Sequence, residues 1–193
     1  MKLFYIIVIL TSGILLSACE KRQFEASSED HVENTSDATV SRKVLSTDNL
    51  ADIKHDFIYL DSIINAPELV NLKEDMGRRI NEGSSLSSAL AYGKTTTELY
   101  YNKLNEFEYK SSEISAIKDK LQEGLQLSIE AYDISSKVKF NDRGYPEDLE
   151  KWDELDELQQ RMNQSADELN EDFKAVRLKL EKAAETAEEK VES

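Results

Sequence analysis

Between Trp152 and Ala183 the chain repeats an apolar pattern every seven residues. Trp152, Gln159, Ala166, Phe173 and Leu180 form one series, and Leu155, Met162, Leu169, Val176 and Ala183 form another three places on. Two series offset by three define the a and d seam of a helix, sustained here over four heptads with Gln159 as its one polar member. Neither a β-strand nor a loop keeps that period. Pro146, Glu147 and Asp148 supply the start signals just upstream. The predicted helix, 147 to about 188, is roughly 60 Å long, and its alanine- and glutamate-rich end is expected to fray. A narrow apolar stripe on an otherwise charged rod must be covered by something.

The covering elements are sought in the preceding sequence. Leu50, Ile53, Phe57, Leu60 and Ile64 fall at steps of three and four behind the capping types Ser46, Thr47 and Asp48. Pro67 ends this run and suits the first turn of a new helix, with Glu68 near its positive end. Leu69, Leu72, Met76 and Ile80 continue at helical spacing, and Gly83 is placed as a left-handed stop. Beyond Ser84 and Ser85 the core frame is Leu86, Leu90, Gly93, Thr97, Tyr100, Leu104 and Phe107. It carries on as Ser111, Ile114, Lys118, Leu121, Leu125, Ser128 and Tyr132. No proline occurs between Pro67 and Pro146, so residues 85–138 read either as one long helix or as two joined near Gly93 or Ser111. Thr95 with Glu98 offers a capping box for a restart. Lys139 to Pro146, with Gly144, is the clearest turn. The fold expected for residues 47–190 is all-α: an elongated antiparallel bundle of three or four long helices with coiled-coil-like packing. The alternative is a coiled coil with a second chain, since a seam does not say whose helix it faces.

Residues 20–46 read differently. Serine, threonine, asparagine and acids dominate, with too little apolar surface to offset chain entropy. A flexible linker of that length spans about 25–30 Å.

The N-terminus gives an address. After Met1 and Lys2, Leu3 to Leu16 is an apolar run of 14 residues, short of the roughly 20 that a spanning helix needs. A basic start, a short apolar run and small residues after it read as a secretory signal peptide. The run ends in Leu16-Ser17-Ala18-Cys19, and Cys19 is the chain's only cysteine. This resembles the lipobox of bacterial lipoproteins. The resemblance covers residues 1–22 alone. It implies removal of residues 1–18 and a lipid-bearing, palmitate-type modified Cys19 as first residue of the mature protein. It also implies a bacterial membrane address. Glu20 rather than aspartate after the cysteine leans toward the outer membrane, facing the periplasm, in a Gram-negative host. Losing Lys2 with the leader leaves 23 basic against 39 acidic residues, a net charge of −16. An anionic body gains nothing from an anionic surface, so the lipid must do the holding.

That charge also excludes partners. Phosphates repel a chain this acidic unless it carries a compact basic patch, and none is legible, so no nucleic acid is expected. One cysteine rules out a disulfide framework and multi-cysteine metal centres. Glu150, Asp153, Glu154 and Glu157 share one side of the last helix and read as a solvated face rather than a cation site. The histidines are His31 in the linker and His55, which pairs by spacing with Asp52 and reads as a surface residue. No nucleophile elbow, phosphate-cradling glycine loop or His-Glu-x-x-His motif occurs. The expectation is a non-enzyme with no catalytic, cofactor-binding or metal residues. Its body would serve as a protein-interaction or spacer domain for an unidentified envelope protein, with self-association open. A toxin-neutralising (immunity) or exclusion-type lipoprotein is the alternative, motivated by the acidic charge. The interaction candidates are Tyr101 and Tyr109, which lie off the core frame, and Phe140 and Tyr145 in the turn.

Overall fold

The computed structural model describes residues 49–141 and 145–192, with side chains to residue 186. The leader, Cys19, the linker, the caps expected at Ser46 to Asp48 and Gly144 of the turn lie outside the described residues.

The described chain is all-α. Its helices are α1 (Leu50–Ile64), α2 (Pro67–Val70), α3 (Leu72–Asn81), α4 (Leu86–Glu106), α5 (Ser112–Ser135) and α6 (Leu149–Glu192). Their ends follow local chemistry. The cap of α1 is Asn49, whose side chain accepts from the Ala51 N–H at 2.8 Å. Pro67 opens α2 after an extended Ala66, the conformation that a residue before proline adopts. A turn at Asn71 then divides the expected 67–81 helix into α2 and α3. Gly83, at φ 100, closes α3, with the Gly83 N–H bonded to the Ile80 carbonyl and the Ser84 N–H to that of Arg79. That is a Schellman ending, and it needs a left-handed residue at this position.

The long 85–138 stretch is two helices, and the break falls at Phe107–Ser111, not at Gly93. Ser85 caps α4 by accepting from the Ser88 N–H, and Ser111 caps α5 by accepting from the Ile114 N–H. Thr95 and Glu98 lie inside α4, so the capping box foreseen there is not used. Gly93 is buried mid-helix for another reason. A Cβ built on it would sit 2.7 Å from the Tyr132 ring and 2.8 Å from Met76 Sδ. Glycine lets α3, α4 and α5 close in on one another.

Polar bridges fix the directions. Lys94 reaches Asp133 and Gln122 reaches Asn105, so α4 and α5 run antiparallel. Lys120 meets Asp172, Lys179 meets Glu113 and the Ser128 hydroxyl lies 3.4 Å from Met162 Sδ, so α5 and α6 do likewise. Gly124, Ser128, Ala131 and Ser135 are all buried on α5, where small side chains let a neighbouring helix come close. The a and d series of α6 points inward: Leu155, Gln159, Met162, Ala166, Leu169, Phe173 and Val176 are buried, and Leu158 joins them. α6 continues to Glu192, well beyond Lys179, its ion-pair contact near the start of α5.

The core has two halves. One gathers Leu72, Met76, Leu90, Tyr132, Leu155 and Met162 around the ends of α3, α5 and α6. The other gathers Ile53, Phe57, Leu60, Leu104, Ile114, Leu121, Phe173 and Val176. α1 belongs to the second. Its partners are Lys103, Phe107 and Tyr109 at the close of α4, Lys110 and Ser111 before α5, and Phe173 and Arg177 late in α6. α1 therefore sits by the α4–α5 turn, and the α5–α6 turn forms the opposite tip.

Candidate functional site

The four sequence-derived interaction residues divide between those ends. Tyr101 and Tyr109 pack against the protein's own core at the α1 end, both partly buried. Tyr109 meets Phe107 edge to face at 4.9 Å, and Phe107 stacks on Tyr59 at 4.0 Å with the planes 7° apart. His55 adds a stacked contact to Phe107 at 5.5 Å. The edge-to-face contact suits the ring quadrupole. Burial pushes the Tyr109 phenol well above the ordinary tyrosine range, with the neighbouring Tyr59 and Asp56 adding to it.

Beside this aromatic nest lies a group that the spacing did not reveal. Asp56 is 0% exposed, and its Oδ2 accepts from the Lys110 N–H at 2.6 Å and the Ser111 N–H at 2.7 Å. His55 Nδ1 lies 3.0 Å from Asp56 Oδ1. The i to i+3 reading had paired His55 with Asp52; the neighbour Asp56 is its partner instead. The signal was present, because Asp56 sits on the apolar stripe of α1 between Ile53 and Leu60. An acid on such a stripe has a buried donor to meet. Here it fastens α1 to the turn that opens α5.

The tip is more open. The Asn141 N–H donates to the Tyr145 carbonyl, the Tyr145 N–H donates to Asn141 Oδ1, and Phe140 pairs with Pro146 in an isolated β-bridge. Phe140 folds back on the core, whereas Tyr145 is 58% and the adjoining Leu149 67% exposed. Next to them Lys137, Lys139, Glu147, Asp148, Leu149 and Lys151 line an open cleft of about 520 Å³. Lys151 is taken up by Asp148, which also accepts from the Lys151 N–H and so caps α6. That pairing raises the lysine and lowers the carboxylate from their ordinary values. The tip thus sets exposed Tyr145 and Leu149 by a cleft in which lysines and acids mix. Glu150, Asp153, Glu154 and Glu157 are exposed on α6. Among the described residues no three His, Cys, Asp or Glu side chains gather as metal ligands, and no helix is long and apolar enough to cross a membrane.

A family model described as uncharacterised lipoprotein PM1805 matches residues 65–189, more than half of the chain. The chain belongs to this family. It is a bacterial lipoprotein, in agreement with the lipobox resemblance read from the other end of the sequence. The lipoprotein match opens at Asn65, the residue that caps the end of α1, and takes in α2 to α5 and nearly all of α6. α1 lies outside it. No curated protein and no solved structure matches the chain.

Proposed function

We propose that this lipoprotein is held to a bacterial membrane by lipid on Cys19 and that its body is a non-enzymatic interaction or spacer module. On this reading residues 1–18 are a cleaved signal, residues 19–46 a tether, and the antiparallel, coiled-coil-like helices a stiff arm. Glu20 favours the outer membrane with the body in the periplasm. The observation that carries the reading is the tip: exposed Tyr145 and Leu149 beside a cleft lined by lysines and acids, at the end of the body away from α1. α5 alone is 24 residues, so about 36 Å separates the two ends.

Photocrosslinking in intact cells tests this. A photoreactive residue at position 145 should capture one discrete envelope protein, and the same residue at the exposed position Glu154 should not. Equal, diffuse capture at both positions would contradict a tip-directed interaction.

A further inference from the structure

We draw no further inference here: the strongest candidate, the cleft at the α5–α6 turn lined by Lys137, Lys139, Glu147, Asp148, Leu149 and Lys151, belongs to the site already described, and with lysines and acids mixed in its lining nothing in the structure shows what covers it.

Discussion

Asp56 illustrates how much one buried side chain can hold. Its carboxylate satisfies two backbone donors at the turn into α5. Asp56→Ala leaves both without a partner and is expected to cost about 3 kcal/mol, measured by urea unfolding. A change below about 0.5 kcal/mol would mean that the fastening is dispensable. Two glycines give a sharper contrast, because the same substitution should have opposite signs. Gly77 in α3 has nothing within 4 Å of an added Cβ, so Gly77→Ala should stabilise by up to about 1 kcal/mol through helix propensity. Gly93→Ala drives a methyl into Tyr132 and Met76 and should destabilise by about 1–3 kcal/mol. Gly93 was legible as a weak member of the core frame; that it marks a close approach was not, since the frame carries no information about the facing ring. Tyrosines add a pH dependence. Burial, then the Glu68 carboxylate, pushes Tyr100 up to about 12, and burial pushes Tyr132 to the same value. Both are raised, so the folded state holds these protons more tightly than the unfolded one. Their contribution is intact below pH 10 and is lost as pH rises toward 12. Helical circular dichroism should therefore fall between pH 10 and 12, together with the rise of tyrosinate absorbance. Tyrosinate appearing fully before any loss of helicity would contradict the burial.

At the scale of elements, periodicity located helices well and joints poorly. The heptad pattern of α6 placed its inward face, because a long regular stripe has one solution. The α4–α5 break was left open because the frame runs on across it: Leu104, Phe107, Ser111 and Ile114 keep the same steps through a non-helical turn. The turn before α5 is held by a tertiary contact, the Asp56 clasp on Lys110 and Ser111, contributed by a helix some fifty residues upstream. The division at Asn71 was likewise invisible to apolar spacing. The α6 seam predicts a contrast of its own. Phe173, buried against Phe57, should cost on the order of 3 kcal/mol or more when changed to alanine. Glu171→Ala, on the exposed side two residues away, should stay within about 0.5 kcal/mol. Two neutral results in dilute protein would mean that the seam serves another chain and not this one.

For the whole molecule the lipoprotein class was readable, and the layout of the proposed contact surface only in part. Of the two turn candidates, Phe140 packs against the core and only Tyr145 is presented outward. Leu149 and the lysines of the cleft carry no signal in the sequence, because the pair Lys137 and Lys139 is separated from Leu149 and Lys151 by the turn and each residue is ordinary singly. Folding brings Lys137 and Lys139 beside Lys151 through the α5–α6 turn, which no spacing rule reports. The proposed anchor joins the helical body to a membrane through one atom, the sulfur of Cys19, and metabolic labelling with a fatty-acid analogue tests that joint most directly. The wild-type chain should take up label and appear as the shortened mature form. Cys19→Ser should take up none and accumulate at precursor length. Undiminished labelling of Cys19→Ser, or a wild-type chain that carries no lipid, would contradict it.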